Sequence, residues 1–201
     1  MRLIGEVNVI VYDRLVSETI LDLIPAGTMQ IFAGKRAQNH FMPQDEINAL
    51  LVDLYYSGRR VMRLKGGAPF VFGRGGEEVV HLAERGIRFE IVPGITGMSG
   101  CWTATGHPIT WGDDVLTVLM ATLDEEELAT RAANTDALVV MKIGRNLDKL
   151  KRALTKAGRL QDAWLVEKGT MAGQTVQKLT EVPADVPYFS IAIVHGQGRR
   201  P

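Results

Sequence analysis

Five glycines fall within Lys65-Gly66-Gly67-Ala68-Pro69-Phe70-Val71-Phe72-Gly73-Arg74-Gly75-Gly76-Glu77-Glu78, between an apolar run and a helical pattern. Glycine has no Cβ, so such a backbone can lie close to a ligand, and a strand–loop–helix context aims unpaired N–H groups at whatever binds. A solvent loop with unusual turns has the same composition, and both readings stand. The loop is not a P-loop, because no G-x-x-x-x-G-K-S/T occurs, and Gly73-Arg74-Gly75-Gly76 does not satisfy G-x-G-x-x-G. Nucleotide phosphates are therefore a poor fit. His40, His81, His107 and His195 lack metal-ligand spacing among themselves and with Cys101, so no metal is expected. Gly97-Met98-Ser99-Gly100 approaches a nucleophile elbow without meeting its pattern, and Ser99 is expected at the start of a helix.

The elements that must carry these residues alternate between strand and helix. Val7 to Tyr12 reads as a buried strand stopping at Asp13-Arg14, and Leu15 to Ile24 as a helix. Strands are expected again at Thr28 to Ala33, Arg60 to Leu64 and Phe89 to Val92. Pro43 to Ser57 reads as a helix, with Ile47, Leu50, Leu51, Leu54 and Tyr55 on one stripe, and Glu77 to Arg85 as another, closed by Gly86. In the second half, strands are expected at Val115 to Ala121, Ala137 to Ile143, Ala163 to Val166 and Phe189 to Val194. Helices are expected at Glu125 to Ala133 and Leu147 to Ala157. The pattern predicts an α/β protein with largely parallel sheets in its first half and room for antiparallel strands at its end.

Composition narrows the function classes. The chain has 201 residues, 46% of them hydrophobic, enough for one large or two small cores. Lys plus Arg and Asp plus Glu number 23 each, which lacks the basic footprint of a nucleic-acid binder. One cysteine excludes an intrachain disulfide, no apolar run reaches bilayer length, and no signal peptide is visible. A cytoplasmic protein with no nucleic-acid or membrane partner is expected. The likeliest boundary between domains lies between Pro93 and Gly100, giving lobes of residues 1–95 and 96–201.

Five blocks in order make a resemblance specific. Val11-Tyr12-Asp13-Arg14-Leu15-Val16-Ser17, Gly34-Lys35-Arg36-Ala37, Pro43-Gln44-Asp45-Glu46-Ile47-Asn48, the loop from Lys65 to Glu78, and Val92-Pro93-Gly94-Ile95-Thr96 resemble the uroporphyrinogen-III C-methyltransferases of the tetrapyrrole methylase family. From residue 96 onward, Thr96-Gly97-Met98-Ser99-Gly100-Cys101-Trp102, Trp111-Gly112-Asp113-Asp114, Val140-Met141-Lys142-Ile143-Gly144-Arg145-Asn146, Glu167-Lys168-Gly169-Thr170-Met171 and Pro187-Tyr188-Phe189-Ser190 are similar to the precorrin-2 C20-methyltransferases of the same superfamily. The chain thus reads as a mosaic. The resemblance implies two α/β lobes with the active site between them, a homodimer, S-adenosylmethionine as cofactor and a tetrapyrrole as substrate. Uroporphyrinogen-III is expected first and precorrin-2 second. In the family a strand and a Gly-Pro-Gly-x-Pro loop precede the helix whose tail resembles Met1 to Glu6, so the chain is expected to be truncated at its start.

The same resemblance assigns roles. Asp13 would be the proton acceptor and Lys35 the proton donor; as residues alone, without the resemblance, Asp13 reads first as a helix cap and Lys35 as a solvated charge. Gly66, Gly67, Ala68, Val71, Thr96, Gly97 and Gly169 would meet the cofactor, with Met141 or Ile143 standing near the family's methionine position. Both of the latter also suit plain strand core. Ala68 replaces the family's aspartate, which removes any side-chain hydrogen bond there. Arg14, Arg74, Glu77 and Glu78 would meet substrate carboxylates, order the loop or form surface ion pairs. An inactive cofactor- or tetrapyrrole-binding remnant remains open, as does a dinucleotide oxidoreductase, which fits the α/β pattern alone.

Overall fold

A computed structural model of the chain describes residues 2–34, 42–183 and 185–198. Lys35 and His40 lie outside the described residues. The chain divides into two compact units, Met1–Thr96 and Gly97–Pro201.

The first unit is built on a three-stranded parallel sheet. A short helix α1 (Arg2–Glu6) leads into β1 (Val9–Tyr12), followed by α2 (Glu18–Leu21), β2 (Met29–Phe32), α3 (Gln44–Tyr56), β3 (Val61–Leu64) and α4 (Gly75–Ala83). The strand order is β2-β1-β3. The central strand has no polar residue before Tyr12, and Val9, Ile10 and Val11 are fully buried, as a strand covered on both faces requires. Val9 and Val11 pack with Ile47 and Leu51 of α3. The helix expected over Leu15 to Ile24 contracts to Glu18–Leu21. The main chain of Leu15 and Val16 is already used in a turn onto Asp13, and the helix begins only after Ser17.

Phe89 to Val92 forms no strand, contrary to the sequence pattern. β3 is the sheet's edge, and among the described residues 88–95 make no backbone–backbone hydrogen bond. A strand exists only through its neighbours, and this apolar segment has none, leaving Phe89 and Val92 exposed.

The second unit holds a five-stranded mixed sheet. Its elements are α5 (Gly97–Ala104), β4 (Leu116–Met120), α6 (Glu125–Ala133), β5 (Ala137–Met141), α7 (Leu147–Lys156), β6 (Ala163–Glu167), β7 (Thr175–Lys178) and β8 (Ser190–Val194). The order is β4-β5-β8-β6-β7, with β4 and β5 parallel and the other pairings antiparallel. Alternation sorts the strands onto two faces. Leu138 and Val140 join Leu128 of α6 and Leu150 of α7 on one face, while Val139 and Ile193 join Cys101 of α5 on the other. β7 was not foreseen: Thr-Val-Gln-Lys is a short, half-polar edge strand. Its pairing with β6 sets Lys178 opposite Trp164, with the ammonium 4.2 Å from the ring centre. Among the described residues no helix is long and apolar enough to cross a membrane.

Leu150 is 1% exposed in the larger core. Leu150→Ala is expected to cost about 3 kcal/mol through lost transfer energy and the cavity left behind, read from the urea unfolding midpoint.

Candidate active site

Asp13 stands directly after the central strand β1, at the carboxyl end of a parallel sheet, where α/β ligand sites collect. Its Oδ1 accepts the Leu15 N–H at 3.0 Å and its carbonyl accepts the Val16 N–H at 3.4 Å, so the chain reverses around the carboxylate. Asp13 is thus a turn residue, and the helix that follows starts beyond it. Its other oxygen accepts from Arg63 Nη2 at 3.2 Å. That partner comes from register: β1 and β3 are parallel with Val11 opposite Arg63.

Arg63 is held in turn by a buried carboxylate. Glu78 Oε1 accepts from Arg63 Nε at 3.1 Å and from Lys65 Nζ at 3.0 Å, with Gln44 Nε2 at 3.4 Å. Arg63 Nη1 also donates to the Val11 and Leu64 carbonyls. Glu78 is 4% exposed and sits in the first turn of α4, where the helix dipole favours a negative charge. Arg63 and Lys65 against Asp13 and Glu78 make a neutral group of four charges, which is how so many ions are tolerated out of water. Burial, with the neighbouring Arg63, pulls Lys65 below its ordinary value, against the attraction of Glu78 and Asp13. The sequence had not separated Glu78 from Glu77. Glu77 forms a surface pair with Arg74 at 2.7 Å, and Glu78 anchors the cluster. Arg63 was missed altogether. The available signal was Arg63 and Lys65 at i and i+2 in and just after an apolar strand, followed by an acidic helix start.

The glycine loop adjoins this turn. A Cβ on Gly66 would lie 2.5 Å from the Leu15 carbonyl oxygen, two residues beyond Asp13. A Cβ on Gly75 would lie 2.5 Å from the Pro69 oxygen, and one on Gly94 would strike the Gly67 carbonyl. These three glycines answer to backbone packed against backbone within the unit. Beside them Gly67 is exposed with φ 81°, and Gly66, Ala68 and Val71 are half-buried. Phe72 and Arg74 take left-handed conformations at φ 51° and 61°, which fold the loop back so that α4 starts at Gly75. Gly34 approaches the Arg14 main chain, so the segment after β2 also ends beside the Asp13 turn. Lys35, expected as a proton donor, lies outside the described residues. Thr96 closes the first unit.

In the second unit Gly97 opens α5, with free space where its Cβ would stand, and Ser99 lies in that helix's first turn. Gly169 packs onto the same helix: a Cβ there would meet Cys101 Sγ at 2.6 Å. The turn that brings it there has left-handed residues on both sides, Lys168 at φ 49° and Thr170 at φ 65°. Burial pushes the Cys101 thiol up to about 11, which keeps it protonated and unreactive. Met141 ends β5 on the face shared with Cys101. Ile143 does not share that face. Lys142 adopts φ 56°, which breaks the alternation and buries Ile143 completely among the α6 and α7 residues. Met141 and Ile143 thus belong to opposite faces of the sheet although they stand at i and i+2, and the Ile143 side chain is fully buried. Among the described residues no three His, Cys, Asp or Glu side chains gather as a metal site.

Removing Glu78 strands two buried cations. Glu78→Gln is expected to lower stability by about 3 kcal/mol, and Lys65→Met in that background to restore at least about 1 kcal/mol. Urea unfolding of the two variants checks both.

The model of the tetrapyrrole (corrin/porphyrin) methylases matches residues 1–183. A siroheme synthase of Pseudomonas putida is 42% identical over 195 residues, spanning 93% of this chain and 42% of that protein. One of Thiobacillus denitrificans is 39% identical over 199 residues, spanning 95% of this chain and 41% of that protein. The chain thus spans about two-fifths of the length of these relatives, and both of its halves align to a single protein. Among solved structures, uroporphyrin-III C-methyltransferase from Thermus thermophilus complexed with S-adenosylhomocysteine has a TM-score of 0.75 at 30% identity, covering 96% of this chain and 87% of that one. A cobalt precorrin-4 methyltransferase has a TM-score of 0.79 at 20% identity, covering 100% and 88%, a likeness of fold. The match over most of the sequence, carried on an α/β frame with a carboxylate at the end of its central strand, makes this chain a member of the tetrapyrrole methylase family.

Proposed function

We propose that the chain is an S-adenosylmethionine-dependent C-methyltransferase acting on a reduced tetrapyrrole, with uroporphyrinogen-III as the first substrate and precorrin-2 as the second. The observation that carries this reading is Asp13, oriented by Arg63 at the carboxyl end of β1 beside the glycine loop. The relatives named siroheme synthase and the Thermus enzyme solved with S-adenosylhomocysteine support the substrate class and the cofactor. The reading extends to a cytoplasmic homodimer built from lobes 1–95 and 96–201.

When bound, S-adenosylmethionine would supply an electrophilic methyl group to a ring carbon, its sulfur leaving as the thioether, and the substrate would give up a proton. Asp13 accepts that proton. Its turn and Arg63 fix the carboxylate before substrate arrives, which lowers the reorganisation needed at the reacting atoms. Lys35 is the proposed donor. For the cofactor, exposed Gly67 and half-buried Gly66, Ala68 and Val71 offer main chain in the first unit, and Thr96 follows at its end. Gly97, Met141, Gly169 and the main chain of Ile143 are the proposed contacts of the second. Ala68 brings no side-chain hydrogen bond, so binding there relies on backbone groups.

Ala68 also favours a second reading, a chain that binds cofactor or tetrapyrrole without turnover. Calorimetry with S-adenosylhomocysteine, and incubation with methyl-labelled cofactor and each substrate, separate the two. The expected outcome is saturable binding and label on uroporphyrinogen-III. Asp13→Asn is expected to lower kcat at least about 100-fold while cofactor affinity stays within about twofold. Label on precorrin-2 alone would reverse the substrate order. A folded chain that binds cofactor and transfers nothing would leave the second reading.

A further inference from the structure

Within the second unit, residues 195–198, which follow β8, lie along the loop 105–114 that follows α5. The Gly196 N–H donates to the Ile109 carbonyl at 2.8 Å, and the Gly198 N–H donates to Asp114 Oδ2 at 3.3 Å. The approach is close enough to need glycine: a Cβ on Gly196 would strike Asp114 Oδ2, and one on Gly198 would stand 3.0 Å from Trp111 Cβ. A groove of about 380 Å³ runs beside this seam, lined by Trp111, Gly112, Gln197 and Gly198. Closure carries a cost. Asp114 Oδ1 is buried and has no hydrogen-bond partner among the described residues, and a buried acceptor left unpaired weakens the form that buries it.

His195 fastens the seam at its base. Its Nδ1 lies 3.0 Å from the Pro108 carbonyl, which can only accept, so Nδ1 carries a hydrogen. Its Nε2 lies 3.0 Å from Thr105 Oγ1, whose single hydrogen also has the Trp102 carbonyl at 2.6 Å. With a neutral ring that hydrogen serves one of the two contacts; with a second ring proton both are served. Hydrogen bonding therefore invites protonation, and charge opposes it. The His107 ring is centred 5.5 Å from that of His195 and 6.1 Å from that of Trp164, and the Lys178 ammonium of β7 stands 4.2 Å from the Trp164 ring centre. Among the described residues no carboxylate forms an ion pair with His107, Lys178 or His195; the acid on this seam, Asp114, is further along it and holds main-chain N–H groups. Burial, with His107 and Lys178 nearby, holds His195 below its ordinary value in spite of the Pro108 bond, so the opposition wins. A released His195 binds a proton more readily than a seated one. The seam is accordingly firmest above the ordinary histidine range and weakens as pH falls through it.

We propose that residues 195–198 form an acid-released strap over the loop 105–114. A proton taken up by His195 frees Gly196 and Gly198 and uncovers the Asp114 carboxylate beside Trp111. The strap uses neither Asp13 nor a cofactor, so it stands apart from the methyltransferase reading.

The test is NMR on the full ¹⁵N-labelled chain between about pH 8 and pH 5.5, above the ordinary carboxylate range of about 4. Amide exchange, corrected for the intrinsic rate, gives the opening constant at Gly196. It is expected to exceed that of Val139 in the core at least about tenfold, so that opening is local, and to rise at least about threefold with acid. The rise should follow the ring titration of His195, with a midpoint below about 6.5. His195→Gln keeps a hydrogen-bonding side chain that does not titrate, and should flatten the response. If that variant does not fold, the unaltered chain decides: a rise at Gly196 that follows the His195 ring supports the strap, and one that follows the His107 ring instead overturns it. An opening constant that does not change with pH, a rise that persists in His195→Gln, or a His195 midpoint at or above the ordinary value also overturns the proposal.

Discussion

A single carboxylate, Glu78, organises the charged end of the first unit. Its Oε1 receives Arg63 and Lys65, both from the strand and exit of β3, and through Arg63 it reaches the Asp13 turn. Each bond crosses between elements far apart in sequence, so the cluster ties the start of α4, the end of β3 and the end of β1 into one arrangement. Its cost is the desolvation of four ions, and its return is a fixed geometry, since an ion pair out of water tolerates little displacement. The glycine loop between β3 and α4 must then close a short path. Gly66 against Leu15 and Gly75 against Pro69 are the places where a Cβ would keep it from closing.

Left-handed backbone plays the matching part in the second unit. Lys142 breaks the alternation after β5, while Lys168 and Thr170 flank Gly169 so that the loop presses on α5. Non-glycine residues in this region cost about 1 to 3 kcal/mol each where they are strained, and they persist because the surrounding packing leaves no alternative. Here that packing is the fully buried Ile143 on one face and Cys101 on the other. Both loops follow the ends of strands β5 and β6, so the left-handed residues gather at one end of the second sheet.

Much of this was legible in the residues, for physical reasons. Val9 to Val11 and Ala137 to Val140 are short, β-branched apolar runs bounded by polar residues, which suit buried strands, and α3 and α7 carry stripes that name their buried faces. The order of the motifs identified the family. What was not legible depended on partners. Phe89 to Val92 has the composition of a strand and, among the described residues, no neighbour to pair with; Thr175 to Lys178 has a poor composition and an edge to join. Arg63 acquires its meaning from register with Val11, which a linear pattern does not contain. Likewise Met141 and Ile143 look equivalent at i and i+2 until one left-handed lysine separates their faces.

The central claim is that Glu78 fixes Arg63, and that Arg63 thereby fixes the turn at Asp13. The guanidinium Nε–H of Arg63 reports this directly, because its bond to Glu78 at 3.1 Å should give a slowly exchanging signal in ¹H–¹⁵N NMR. That signal is expected in the unaltered chain, retained in Asp13→Asn and lost in Glu78→Gln. Persistence of the same protected signal in folded Glu78→Gln would contradict the account.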